Sequence, residues 1–136
     1  MMKTLIKIAF LISFFYGIKA NAQIDALQYL KTNFEIQKTE YIGKPFSYLL
    51  SKMTQIQPKT NWSSQGKDLG KTYSTNFIFC DKEYSFYNAV TLHIVWQEII
   101  PTQQIRYYEK KNGFYFTNEE RNFYGDKIIK DIAVFR

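Results

Sequence analysis

The stretch VTLHIVWQEI, residues 90–99, has the clearest period of two in this chain of 136 residues. Every second side chain is large and apolar, and these belong to Val90, Leu92, Ile94 and Trp96. The side chains between them, from Thr91 to Gln97, are mixed in polarity. This pattern predicts a strand in a sheet that is covered by helices on one face and partly exposed to water on the other.

Three further segments have a weaker period of two. They are residues 60–65, residues 73–80 and residues 128–135. A turn that contains Gly66 and Gly70 separates the first two segments. In the last segment, Ile128, Ile132 and Val134 would share one face. Together with residues 90–99, these segments predict a sheet of about four strands.

Helical spacing precedes the strands. Leu27, Leu30 and Phe34 recur every three or four residues after Ile24 and predict a short amphipathic helix. A second helix should begin at Pro45, because proline suits the first helical position. Its apolar residues are Phe46, Leu49, Leu50 and Met53.

Two short helices are expected before the last strand. Pro101-Thr102 offers a helix start, and Asn112-Gly113 offers a stop. Thr117 and Glu120 have the spacing of a capping box, and Gly125 would end that helix. The order of elements predicts an α+β fold, with an antiparallel sheet of about four strands, two N-terminal helices and short helices before the last strand.

The first 22 residues have the pattern of a secretory signal peptide. Lys3 and Lys7 give the first seven residues a positive charge, and residues 8–18 are almost entirely apolar. Ala20-Asn21-Ala22 then offers a cleavage site before Gln23. The apolar run is shorter than the roughly 20 residues that a membrane-spanning helix needs. We therefore expect residues 1–22 to be removed and residues 23–136 to form a single α+β domain, periplasmic or extracellular, without a transmembrane segment.

Charge and cysteine content exclude several classes of function. The formal net charge is +6, but residues 1–22 carry three of the 18 basic residues, which leaves 15 against 12 acidic ones. The remaining basic residues are scattered, so a nucleic-acid partner is not expected. One Cys and one His cannot supply a four-ligand zinc site. We expect no metal and no cofactor, and Cys80 is better explained as a small buried residue than as a link between two chains.

No arrangement of residues points to catalysis. His93 titrates in the range of a general base, but no sequence motif provides a nucleophile and an orienting carboxylate beside it. The spacing of the carboxylates does not single out an acid–base pair, and Glu119 and Glu120 fit the first turn of a helix. A half-exposed position in the sheet is the simpler interpretation of His93.

The second half of the chain is rich in Tyr and Phe. Tyrosine combines an apolar ring with a polar end, which suits contacts with proteins or sugars. We assign core positions to Phe77, Phe79, Trp96 and Phe123. The candidate contact residues are Tyr84, Tyr87, Tyr107, Tyr115 and His93.

Three segments carry a resemblance to known proteins. They are Asn21-Ala22-Gln23 at the end of the predicted signal peptide, YIGKPFSYLL at residues 41–50, and residues 123–132. Together with the Lys, Asn, Ile, Tyr and Phe content, they resemble uncharacterised small exported proteins of Bacteroidota, of the flavobacterial type. This resemblance implies export and no particular activity.

These observations predict a small exported binding module without enzymatic activity, whose partner is a protein or an envelope glycan. An immunity or inhibitor protein that binds a toxin or lytic enzyme is the second hypothesis. A small hydrolase is the third.

Overall fold

The computed structural model describes residues 25–85 and 87–136, and the predicted signal peptide lies outside the described residues. The fold is α+β, as predicted, with one four-stranded antiparallel sheet. The α-helices of the described ranges are α1 (Ala26–Leu30), α2 (Phe46–Lys52), α3 (Thr102–Asn112) and α4 (Asn118–Gly125). The strands are β1 (Thr60–Gln65), β2 (Lys71–Ile78), β3 (Thr91–Pro101) and β4 (Ile129–Phe135).

The sheet follows the chain order β1-β2-β3-β4, and each strand is antiparallel to the next. Leu92, Ile94 and Trp96 of β3 are buried beneath the helices, whereas His93 and Val95 are half-buried on the opposite, open face. The alternation predicted both faces correctly over residues 92–96, whereas Thr91 is buried although it was placed on the open face.

The N-terminal helices and α4 cover the inner face of the sheet. α1 continues as a π-helical turn, Lys31–Glu35, and Leu30 and Phe34 are buried as their spacing predicted. In the centre of the core, Phe46 of α2 stacks on Phe77 of β2 with ring centroids 4.5 Å apart. Trp96 meets Phe46 edge to face at 5.5 Å. Interlocked rings of this kind stabilise a core beyond the burial of their surface.

The helix boundaries follow local chemistry. α2 begins at Phe46, one residue after Pro45, so the proline is the N-cap residue rather than the first helical residue. Gly113 ends α3 in the left-handed conformation, with φ of 60°. The capping box predicted at the start of α4 is present, with Thr117 as the N-cap and Glu120 at the third helical position.

Two register shifts correct the predicted faces. Ile129 rather than Ile128 is buried with Ile132 and Val134, because the β3–β4 register shifts between Val95 and Trp96. A shift by one residue moves a side chain to the other face of a strand.

A second irregularity lies between Thr72 and Ser74 of β2. It leaves Thr72 buried and Tyr73 exposed, although the period of two placed Tyr73 on the face of Phe77.

Both outer edges of the sheet are paired at some positions. Beside β1, the backbone N–H of Asn61 donates to the carbonyl of Phe114, and that of Phe116 donates to Lys59. Beside β4, the Val134 N–H donates to a carboxylate oxygen of Glu35. At these positions the edge groups already have partners, which opposes the addition of a further strand there.

Among the described residues, none of the helices combines the length and apolarity that crossing a membrane requires.

Candidate binding groove

A groove of about 470 Å³ lies where α3 begins, against one side of α4. We call it the tyrosine groove. Its lining residues are Pro101, Gln103, Gln104, Tyr107, Tyr108 and Phe123. Its volume is within the roughly 300–1,000 Å³ of typical small-molecule sites.

The start of α3 fixes one wall of the groove. The Thr102 hydroxyl lies 2.9 Å from the Thr72 hydroxyl of β2. The backbone N–H of Thr102 donates to the carbonyl of Gly70. Thr102 therefore ties the helix to the sheet, and Pro101 is the N-cap residue of the helix predicted to start at Pro101-Thr102. The buried Ile105 directs one side of α3 to the core.

The polar and aromatic lining of α3 follows from helical spacing. Gln103 and Tyr107 are four residues apart, as are Gln104 and Tyr108, so each glutamine adjoins a tyrosine on the helix surface. The groove therefore presents carboxamide groups beside phenol rings.

The aromatic rings of the groove continue into the core as a ladder. Ring centroids are 5.1 Å apart between Tyr107 and Tyr108, and 4.9 Å apart between Tyr108 and Phe123. Phe123 meets Tyr124 at 5.0 Å, and Tyr124 stacks on Trp96 at 5.5 Å with an interplanar angle of 12°. We call these five residues the aromatic ladder. It supports the groove on well-packed side chains.

The buried end of the ladder is also fixed by hydrogen bonds. The Trp96 indole N–H donates to the Thr75 hydroxyl at 2.9 Å. The Tyr124 hydroxyl lies 3.2 Å from the Ser63 hydroxyl. Burial raises the pKa of Tyr124 to about 12, so the phenol stays neutral at physiological pH.

Lysines border the groove, and each has a nearby carboxylate. The Lys111 ammonium lies 5.8 Å from the Tyr107 ring centroid and 2.8 Å from a carboxylate oxygen of Glu119. The Lys127 ammonium lies 4.9 Å from the Phe123 ring centroid and 3.9 Å from Asp126. Each contact places a positive and a negative group side by side near a ring of the groove.

The groove is lined by phenol, phenyl and carboxamide side chains together with a proline. It contains no carboxylate, imidazole or thiol. Glu120, in the adjacent helix, is buried and accepts hydrogen bonds from the Asn112 side chain and the Thr117 backbone. Its carboxylate is therefore committed to holding the start of α4.

Of the candidate contact residues, only Tyr107 lines this groove. Tyr84 and Tyr87 lie in the loop between β2 and β3, and Tyr115 pairs with Thr60 beside the edge of β1. His93 lies in the middle of β3. The structure therefore separates residues that the sequence analysis had grouped by type.

We call residues 81–85 and 87–89 the β2–β3 loop. Its tyrosines are strongly exposed, Tyr84 by 63% and Tyr87 by 78%. They border a cleft of about 260 Å³ with Cys80 and Arg136. The loop is a second candidate contact surface.

Cys80 is half-buried at the base of this loop, which corrects the prediction of a buried residue. Burial raises the pKa of its thiol, and the neighbouring Asp81 carboxylate raises it further. A raised pKa keeps the thiol protonated and poorly nucleophilic.

His93 is held on the open face of the sheet. Its Nδ1 lies 2.6 Å from the Asn76 side-chain oxygen, and burial lowers its pKa against the opposing effect of the Asp131 carboxylate. The neutral imidazole is favoured, and its observed partner is an amide rather than a nucleophile. This arrangement agrees with the interpretation of His93 as a half-exposed sheet residue.

Sequence reasoning missed most of the groove. Gln103, Gln104 and Tyr108 were not singled out, and Phe123 was assigned to the core although it is half-buried. The spacing of four residues between each glutamine and a tyrosine could have indicated a shared helix face. The contribution of Phe123 depends on the packing of α4 against α3, which local spacing does not specify.

Among the described residues, no cluster of three or more His, Cys, Asp or Glu side chains is arranged to hold a metal ion. Neither a protein-family model nor a curated protein nor a solved structure matches this chain.

Proposed function

We propose that this chain is an exported, non-enzymatic binding module and that the tyrosine groove holds its ligand. The observation that carries the proposal is the aromatic ladder, which joins the exposed Tyr107 to the buried Trp96 through successive ring contacts. Side chains fixed before binding lose less conformational entropy when a ligand arrives. The lining joins phenol rings to carboxamide groups, a combination that suits binding.

The experiment compares two exposed tyrosines, Tyr107 in the groove and Tyr87 in the β2–β3 loop. Protein from cells that express the full chain is immobilised and exposed to separated protein and glycan fractions of the producing organism's envelope. Tyr107→Ala should abolish retention of the bound component, and Tyr87→Ala should leave it unchanged. Equal retention by wild type and Tyr107→Ala would contradict a role for the groove.

Export is tested separately. The amino-terminal pattern predicts that the exported product begins at Gln23, and mass spectrometry of periplasmic and medium fractions measures that terminus directly. A product that retains residues 1–22 in the cytoplasm would contradict this part of the proposal.

An inhibitor of a toxin or lytic enzyme is the second candidate function. The exposed Tyr84 and Tyr87 favour it, because a tyrosine-bearing loop presents large amphipathic side chains to a partner. In this case, Tyr87→Ala should abolish protection of cells against the toxin or lytic enzyme. Tyr107→Ala should preserve that protection. The reverse result would assign the activity to the groove.

A further inference from the structure

We propose that the ligand of the tyrosine groove is a neutral carbohydrate. It would stack on the aromatic rings of the groove and form hydrogen bonds with the glutamine amides of the groove. This inference rests on the proposed function, because it names the ligand of the same site. Three properties of the groove support it: the chemistry of the lining, the ion pairs beside it and the size of the site.

The lining offers the two kinds of contact that a sugar ring can use. The C–H bonds on one side of a pyranose are polarised by neighbouring oxygens, so they are attracted to the electron-rich face of an aromatic ring. Tyr107 is 58% exposed and supplies such a ring at the surface. The hydroxyl groups around the sugar both donate and accept hydrogen bonds.

The amides and phenols complement those hydroxyls. Gln103 and Gln104 each carry a carbonyl acceptor and an NH₂ donor, and each tyrosine hydroxyl donates and accepts. A purely apolar ligand would remove these groups from water without replacing their hydrogen bonds, which is unfavourable. The mixed lining therefore favours a ligand with both an apolar face and a polar rim.

Two ion pairs beside the groove favour a neutral ligand over an anionic one. The Lys111 ammonium is in contact with Glu119, and Lys127 is near Asp126. An anionic ligand would have to compete with these carboxylates.

The size of the groove favours a small or chain-like ligand over a folded protein. A stable protein interface uses roughly 20–30 residues from each side. Six residues line this groove, and its volume of about 470 Å³ suits a short segment of an oligosaccharide. The paired positions at the edges of the sheet also disfavour a peptide that binds there by strand addition.

Isothermal titration calorimetry on the exported protein tests the inference. The probes are chitotetraose, cellotetraose and mannotetraose, with tetragalacturonate as the anionic counterpart and a proline-rich decapeptide as the alternative ligand. We expect saturable binding of at least one neutral probe and weaker binding of tetragalacturonate. Tyr107→Ala and Gln104→Ala should weaken that binding by about tenfold or more, equivalent to roughly 1.4 kcal/mol.

Tyr87→Ala is the matched control, because it removes an exposed tyrosine from another surface and should leave the affinity unchanged. Thermal unfolding of each variant checks that the fold is preserved. Failure of every neutral probe, unchanged affinity in both groove variants, or preferred binding of tetragalacturonate or the peptide would overturn the inference.

The envelope-binding experiment distinguishes the two levels of the proposal. If Tyr107→Ala abolishes envelope retention but none of the neutral probes binds, the carbohydrate inference fails and the groove remains the binding site. If the variant retains the envelope component like wild type, both proposals fail.

Discussion

The tyrosine groove and the β2–β3 loop both expose tyrosines, but they differ in what lies beneath those rings. Tyr107 begins a series of ring contacts that reaches Trp96 in the core. Tyr87 is 78% exposed in the loop. Exposure is common to both surfaces, so the packing behind each ring is what distinguishes them.

This difference has an energetic consequence for binding. Immobilising a flexible side chain at an interface costs roughly 0.5–1.5 kcal/mol. Rings that already pack on one another carry less of that cost, whereas an exposed loop tyrosine carries more. We therefore expect the groove to suit a small ligand with few contacts and the loop to need a larger partner.

The largest expected effect comes from cutting the buried end of the ladder. Trp96→Ala should lower the free energy of unfolding by about 3–5 kcal/mol, because it removes a large buried ring and leaves a cavity. Tyr87→Ala should change it by no more than about 0.5 kcal/mol, as is usual for an exposed position. Urea denaturation measures both values.

Trp96→Phe provides the milder comparison, since it keeps a ring but removes the indole donor to Thr75. It should fall between the other two variants. A loss for Trp96→Ala as small as that for Tyr87→Ala would show that the ladder does not support the groove.

The next effect concerns the helix that carries Phe123. Glu120 is 1% exposed and accepts hydrogen bonds from Asn112 and Thr117, so Glu120→Ala should destabilise the protein by about 1–3 kcal/mol. Glu119→Ala removes only the partly exposed contact with Lys111 and should cost less than about 1 kcal/mol. Equal losses in urea denaturation would contradict the role assigned to the capping box.

The sequence was sufficient to predict the fold because its strongest local patterns agree with the tertiary structure. Residues 92–96 predicted the inner and outer faces of β3, and Phe46, Leu49, Leu50 and Met53 are all buried as their spacing required. The register shifts could not be predicted, because they depend on pairing between strands. As a result, Tyr73 and Ile128 were assigned to the wrong faces.

The candidate site was less predictable than the fold. Tyr107 was selected for its residue type, but the same criterion selected Tyr84, Tyr87 and Tyr115, which lie elsewhere. Phe123 reaches the groove through the packing of two helices that are separated by a left-handed glycine turn. Side-chain type indicates which residues suit a contact, whereas three-dimensional packing decides which of them lie together.

The third prediction tests the ladder through its buried tyrosine, Tyr124. The pKa of Tyr124, about 12, is above the ordinary value near 10, because burial disfavours the charged phenolate. The neutral phenol therefore contributes stability that is fully present below pH 10 and is lost as pH rises toward 12. Tyr124→Phe should remove this part of the alkaline decrease in the free energy of unfolding.

Because the Tyr124 hydroxyl also contacts Ser63, Tyr124→Phe should cost about 1 kcal/mol at neutral pH. Tyr107→Phe, at the exposed end of the ladder, is the control and should retain the wild-type alkaline profile. The same profile in Tyr124→Phe and wild type would show that this tyrosine is not buried as a neutral phenol.

The smallest expected effect comes from His93, which lies outside both surfaces. Burial lowers its pKa below the ordinary value near 6.5, so the folded protein binds its proton less readily than the unfolded chain does. Its contribution to stability is present above pH 6.5 and decreases as pH falls through the lowered pKa. In urea denaturation, His93→Gln should flatten the decrease in the free energy of unfolding below pH 6.5. Ligand binding in the tyrosine groove, which Tyr107 lines, should stay unchanged. A change in that binding would connect the open face of the sheet to the groove and would contradict the separation of the two regions.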